Sequence, residues 1–285
     1  MISFNKAPRI LVTGAGGYLG AHIVNELRAR GHSVTGSGRH PNPGDPGWVQ
    51  CDLLDRDGTD YLLESTRPDV IIHAAAQVPK GIGDYNDDAT GSVQMVENII
   101  ASRPKSLFLI SSMTVYGNGV SGRISESMPL NPSSSYAQGK VDAENLARRS
   151  GVPGYAIRIP GLYGPPRKGG LVYNALAAIR RKEIPSLPAS PLTWAAMDVR
   201  DAARAISTLV PGAPDRFTPI NIGYSGAVSI NRLIRILQLE LGFNFEYATV
   251  HPEFEFDLGF FEEIANYVLP PFETAIKHFI RQPDA

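Results

Sequence analysis

Residues 135–140 read Ser-Tyr-Ala-Gln-Gly-Lys, which sets a phenol and an ammonium four positions apart, at Tyr136 and Lys140. On a helix, side chains four apart share a face. A free tyrosine has a pKa of about 10 and is almost wholly protonated near neutrality. A neighbouring cation favours its phenolate. Tyr136 beside Lys140 is therefore a candidate for giving or taking a proton at neutral pH. Spacing alone does not select that chemistry, because such pairs also decorate ordinary helix surfaces. The choice depends on what the rest of the chain builds around the pair.

The first half of the chain alternates between two hydrophobic periods. Apolar runs that stop at glycine or small residues, as buried parallel strands do, are RILVTG (Arg9 to Gly14), SVTGSG, DVIIHAAA (Asp69 to Ala76), SLFLISS (Ser106 to Ser112) and GYAIRIPGLYG. Between them lie helical patterns: AHIVNELRARG, DYLLESTRPD, GSVQMVENIIAS with Val93, Val96, Ile99 and Ile100 on one side, and SYAQGKVDAENLARRSG, closed by Gly151. Alternation of this kind implies an α/β fold, a Rossmann-like doubly wound parallel sheet with helices on both faces. Its loops at the strand C-terminal ends share one edge, where ligands bind. After about residue 165 the pattern changes to a loop, GPPRKGG, then a helix, a proline-rich stretch with a strand tail, the helix RDAARAISTLV, the strand PINIG and a helix opened by Ser229. The expected organisation is a dinucleotide-binding domain over 1–165. Residues 166–285 form a mainly substrate-binding C-terminal cap, with some segments returning to the sheet.

Two stretches bear on a cofactor. TGAGGYLG places Gly14, Gly17 and Gly20, with Tyr18 and Leu19 between the last two, just after the first strand and at the opening of the first helix. Glycines there allow a tight turn and let backbone N–H groups and the positive end of the helix dipole approach a pyrophosphate. The second strand ends VTGSGRH, with Ser37, Arg39 and His40 and no acid. NAD-binding strands commonly end in a carboxylate that accepts the ribose hydroxyls. A carboxylate would repel a 2′-phosphate, whereas a guanidinium binds one bidentately. NADP is therefore expected over NAD, with His40 as helper; the alternative for Arg39 is a solvated surface charge.

The GxxGxxG spacing resembles the short-chain dehydrogenase/reductase superfamily. GYLGAH is similar to its extended branch, the NAD-dependent epimerase/dehydratase family of nucleotide-sugar epimerases, dehydratases and reductases. The likeness runs from about residue 8 to 242. It implies that Asp52 and Leu53, in CDLLD, lie at the adenine, and that Ala74, Ala75 and Ala76, in HAAA, run along the cofactor. LISSMTVYG resembles the family's Ser-Ser-x-x-x-Tyr-Gly segment. That implies a catalytic Ser112, with Ser111 on the cofactor side and Tyr136 and Lys140 completing the set. RIPGLYGP implies Pro160 near the nicotinamide, and Val78, Ser112, Met113, Thr114, Tyr136, Gly161 and Trp194 fall on the substrate side. Two departures stand out. Gly161 replaces an asparagine that often touches the sugar diphosphate, and Trp194 stands where many members carry a diphosphate-binding arginine. Arg167, Lys168, Arg180, Arg181 or Lys182 are the basic residues available as substitutes.

The resemblance also ranks the chemistry. Dehydratases carry an Asp-Glu pair after the catalytic hydroxyl residue; Met113 and Thr114 stand there instead. Epimerases usually retain NAD through the acid this chain lacks. The expectation is thus a reductase in which NADPH serves a keto group, most simply that of a deoxysugar nucleotide. A nucleotide-sugar epimerase is the alternative, and a catalytically silent NADP-binding partner protein the third reading. The tail FEFDLGFFEEIANYVLPPF serves that third reading as a partner surface, and otherwise packs as cap core.

Composition narrows the field further. A net charge of −1 gives no basic surface for nucleic acid or an anionic membrane. No apolar run approaches the roughly 20 residues of a membrane span. The single cysteine, Cys51, excludes an intramolecular disulfide framework and, with six scattered histidines, forms no metal-ligand pattern. The N-terminus leads almost directly into a strand, with no signal peptide, so a cytoplasmic protein is expected. A homodimer is permitted.

Overall fold

The structure, a computed structural model, describes residues 7–77, 90–212 and 214–282. In chain order the first part runs β1 (Ile10–Thr13), α1 (Tyr18–Ala29), β2 (Val34–Gly38), β3 (Trp48–Gln50), α2 (Arg56–Thr66), β4 (Val70–His73), α3 (Thr90–Ala101), β5 (Leu107–Ser112), a 3-10 turn over Met113–Tyr116, β6 (Gly122–Ile124), α4 (Ser135–Ser150) and β7 (Gly154–Ile159). It continues with β8 (Gly161–Tyr163), α5 (Gly170–Arg180), β9 (Ala196–Asp198), α6 (Val199–Thr208), β10 (Phe217–Asn221), α7 (Ile230–Leu241), β11 (Phe254–Phe256), α8 (Gly259–Ala265) and α9 (Phe272–Ile280).

Seven strands form one sheet in the order β10-β7-β5-β4-β1-β2-β3. All its neighbours pair in parallel. The chain winds outward from β1 to β2 and β3, then crosses to β4 on the other side. That reversal opens a crevice at the carboxyl edge between β1 and β4. Alternate residues explain why β1 is apolar throughout. Ile10 and Val12 pack into the core that holds α1, α5, α6 and α7. Leu11 packs into the opposite core, with Leu62 of α2, Ile99 of α3 and Ala143 of α4.

Local signals set the helix ends. The Ser134 hydroxyl accepts from Ala137 N at 3.1 Å to start α4, and Ser229 does the same for Arg232 N at 3.1 Å to start α7. On α3, Val93 is only half-buried, whereas Ser92 and Asn98 are buried with Val96, Ile99 and Ile100. The reason is polar: Asn98 Nδ2 donates to Leu53 O at 2.8 Å.

The structure adds strands that periodicity does not show. β3 arises from a proline- and glycine-rich stretch and completes the sheet edge. The run GYAIRIPGLYG divides at Pro160 into β7, in the main sheet, and β8, which pairs with β9. The aromatic tail is core: β11 pairs with β6, and Phe254, Phe256, Phe261 and Phe272 are buried. Among the described residues, no helix is long and apolar enough to cross a membrane.

Candidate active site

At the carboxyl end of β1 the chain turns at Gly14, whose φ of +69° is left-handed. A β-carbon there would sit 2.5 Å from Ala75 N, and one at Gly20 would run into the Gly14 carbonyl. The loop is thus held tightly against both α1 and the segment after β4, and Ala74, Ala75 and Ala76 lie half-buried along it. Gly16 and Gly17 are exposed; Gly17 caps α1 without a side-chain bond, and the first turn holds no acid. The N–H groups and positive dipole of this helix end are left for an anion, so the loop fits a dinucleotide pyrophosphate. Leu19 packs against the core below. The Tyr18 hydroxyl donates to Gly164 O at 2.5 Å, tying the loop to the RIPGLYGP segment. Burial, then the charge of Asp198, pushes its pKa well up, so it stays a phenol. Thr13 Oγ1 and His73 Nδ1 are 2.8 Å apart; burial, then the charge of Lys140, lowers the His73 pKa to about 3, leaving the ring neutral.

At the β2 end, Ser37 is buried and its hydroxyl has no hydrogen-bond partner among the described residues. Arg39 and His40 follow in solvent. Their carbonyls accept from Gln50 Nε2 at 2.9 Å and Trp48 Nε1 at 3.1 Å, which pins this corner to β3. Asp52 is exposed, with Oδ1 accepting from Leu54 N at 3.1 Å, while Leu53 is buried.

The other end of the crevice is built by β5, β7 and α4. Ser112 ends β5 opposite Ile159, so Pro160 follows directly beside it. Ser112 Oγ accepts from Thr114 N at 3.2 Å and Thr114 Oγ1 at 3.0 Å, capping the 3-10 turn in which Met113 is buried. On α4, Tyr136 is half-buried, and Lys140 Nζ lies 5.7 Å from its ring centroid. Lys140 is buried and donates to Ile110 O at 2.8 Å, two residues before Ser112. Burial lowers its pKa to about 8, against the opposing charge of Glu144.

One turn further along α4, Glu144 is buried and accepts from the Ser111 hydroxyl. It also pairs with buried Arg158 of β7, through Nη2–Oε2 at 2.7 Å and Nε–Oε1 at 3.2 Å. Arg158 Nη1 donates to the Tyr116 hydroxyl at 3.0 Å and to Glu126 O at 3.1 Å. The Tyr116 hydroxyl donates to Asn221 Oδ1 at 2.7 Å, and Asn221 N to a Glu126 carboxylate oxygen at 2.8 Å. Sequence reasoning missed this chain of polar groups. Its one readable mark is spacing: Tyr136, Lys140 and Glu144 fall at i, i+4 and i+8 on one helix face.

On the substrate side, Gly161 is exposed and its N–H donates to Ala195 O at 3.2 Å, which sets it beside half-buried Trp194. Trp194 meets Phe272 edge-on, with ring centroids 6.4 Å apart. Of the basic residues nearby, Arg181 pairs with Glu183 at 2.8 Å, Arg180 donates to Ile280 O at 2.7 Å, and Arg167 lies over the Tyr18 ring. Lys168 and Lys182 are exposed. Val78 lies outside the described residues.

This sheet, crevice and glycine loop define an α/β protein of the nucleotide-binding type. A profile of the NAD-dependent epimerase/dehydratase family matches residues 10–223, and the chain belongs to that family. It is 39% identical over 154 residues to the UDP-glucose 4-epimerase of Mycolicibacterium smegmatis, a match covering 48% of this chain and 49% of that protein. It is 30% identical over 163 residues to the methionine adenosyltransferase 2 subunit beta of Danio rerio, covering 56% and 50%. These matches span about half the length of the curated relatives. The fold also resembles the dTDP-glucose 4,6-dehydratase of Bacillus anthracis, solved in complex with NAD, at a TM-score of 0.76 and 21% identity over 96% of this chain and 95% of that one.

Proposed function

We propose that the chain is an NADP(H)-dependent oxidoreductase that reduces a keto group on a sugar nucleotide. One observation carries the chemistry: Lys140, one helical turn from Tyr136, is anchored to β5 two residues before Ser112, at the same sheet edge as the glycine loop. The bound cofactor supplies the hydride. Tyr136 gives the proton to the substrate oxygen, Ser112 holds that oxygen, and Lys140 keeps a positive charge beside the phenol and bonds the cofactor ribose. Gly14, Gly17 and Gly20 hold the pyrophosphate, and Arg39 with His40 takes a 2′-phosphate. Gly161 and Trp194 line the substrate side, where a side chain longer than glycine and a charge are both missing. The protein acts in the cytoplasm, and a homodimer fits the family.

Incubation with NADPH and 4-keto sugar nucleotides tests this reading, followed by loss of absorbance at the reduced nicotinamide. Oxidation above background supports it; no oxidation with any 4-keto substrate counts against it. A second reading, a nucleotide-sugar epimerase, is favoured by the 39% identity to the mycobacterial epimerase. It predicts isomerisation of a UDP-sugar with no net change in absorbance and a cofactor that copurifies.

A further inference from the structure

The ring of Trp48 occupies the place where an acid at the end of β2 would go. Trp48 opens β3 opposite Gly36 of β2. Its ring runs along β2 toward the phosphate loop: a β-carbon at Gly36 would meet Cε3 at 3.1 Å, one at Gly38 would meet Cζ2 at 2.9 Å and Cη2 at 3.0 Å, and one at Gly16 would meet Cη2 at 3.3 Å. The indole N–H, bonded to His40 O at 3.1 Å, keeps the ring from swinging aside. Any side chain at Gly38 therefore collides with a pinned ring. Gly38 is the last residue of β2, where a ribose-binding carboxylate belongs in NAD-binding sheets. The next residue, Arg39, is exposed and makes no ion pair among the described residues.

We propose that Trp48 is a specificity-determining residue of the cofactor site: it fills the room of the β2 carboxylate, floors the adenosine end, and leaves Arg39 to bind a ribose 2′-phosphate. This rests on the dinucleotide-binding reading above. The same ring crowds position 16 and, together with the Ala15 β-carbon at 3.1 Å, position 36, but its hard collision is at position 38.

The test uses the full chain and adenosine fragments, so it needs no turnover. The chain has two tryptophans, so Trp194→Phe leaves Trp48 as the sole tryptophan, excited selectively at the red edge where tyrosine does not absorb. In that background, adenosine 2′,5′-bisphosphate, 5′-AMP, NADPH and NADH are titrated by Trp48 emission and by calorimetry. The bisphosphate is expected to bind at least about tenfold tighter than 5′-AMP, a gap of about 1.4 kcal/mol, and to change the emission. Gly38→Asp alone is expected to weaken all four ligands. Gly38→Asp with Trp48→Ala is expected to regain 5′-AMP and NADH at the expense of the phosphorylated pair. If Gly38→Asp does not fold while the double variant does, the collision is demonstrated by that result; if neither folds, the ring is not the obstacle and the proposal falls. It also falls if Gly38→Asp with Trp48 in place binds NADH as tightly as the double variant, or if ligands that bind by calorimetry leave Trp48 emission unchanged. Should no fragment or dinucleotide bind the starting protein, the dinucleotide reading falls with it. Should 5′-AMP bind as tightly as the bisphosphate, the NADP preference falls, and the Gly38→Asp comparison still decides whether Trp48 fills that room.

Discussion

At the α4 end of the crevice, Lys140, Glu144 and Arg158 are all buried, and each is bonded to another group. At the β2 end, Arg39, His40 and Asp52 stand in solvent. The two ends use charge differently because the medium differs. A buried charge must keep its partners, since removing one leaves the other uncompensated in a low dielectric. An exposed charge is screened and contributes little to folding, so it is free to be chosen for what it binds. Geometry is therefore fixed at the α4 end, and charge is replaceable at the β2 end.

The largest effect is expected at the fixed end. Tyr136→Phe should lower turnover by roughly 10²–10⁴-fold, the usual worth of a positioned acid, while calorimetry shows cofactor affinity retained. Full activity of this variant would remove the reaction from the α4 end altogether. Arg158→Ala should cost about 3–5 kcal/mol in urea unfolding, because Glu144 is left buried and unpaired. An apolar pair at the two positions, Glu144→Leu with Arg158→Met, should cost much less, and a double-mutant cycle separates the two contributions.

A subtler check is pH. The Lys140 pKa of about 8 lies below the roughly 10.4 of a free lysine, so the unfolded chain holds more protons between those values. The contribution of this group to stability should rise with pH across that window. Activity should run the other way, falling as pH passes about 8, because the ammonium beside Tyr136 is lost. Glu144 on α4 and neutral His73 on β4 face this lysine, and Glu144→Gln should move the activity limb to lower pH. The smallest structural effect belongs to the open end. Arg39→Ser should leave the melting temperature unchanged, yet weaken NADPH binding more at low salt than at high salt, with NADH unaffected. A clear loss of stability in that variant would erase the contrast.

The sequence displays the open end and shows the fixed one only in part. Glycine spacing, strand runs and the absence of an acid after β2 are local properties of contiguous residues, and they give the loop, the sheet and Arg39 directly. The Tyr136–Lys140 pair is legible because four residues make one helical turn. Glu144 finding Arg158, or Asn221 finding Tyr116, depends on contacts 14 and 105 residues apart, which no periodicity encodes. β3 was hidden for another reason: the prolines and glycines just before Trp48 read as loop, whereas two other glycines, Gly36 and Gly38 of β2, are what admit its ring. In the tail, apolar content is visible, but whether it meets this chain or another is decided only by the pairing of β11 with β6.

Asn221 has a consequence for how the protein is made. It closes the last strand of the sheet and supplies the acceptor for Tyr116, while its own side chain and backbone bond Ile124 O and Glu126. A ribosome has already released the nucleotide loop, β5 and α4 long before residue 221 emerges. A chain that ends before residue 221, as a nascent chain does for a time, lacks the acceptor for Tyr116, so the hydroxyl that Arg158 bonds is without that partner until the edge strand is complete.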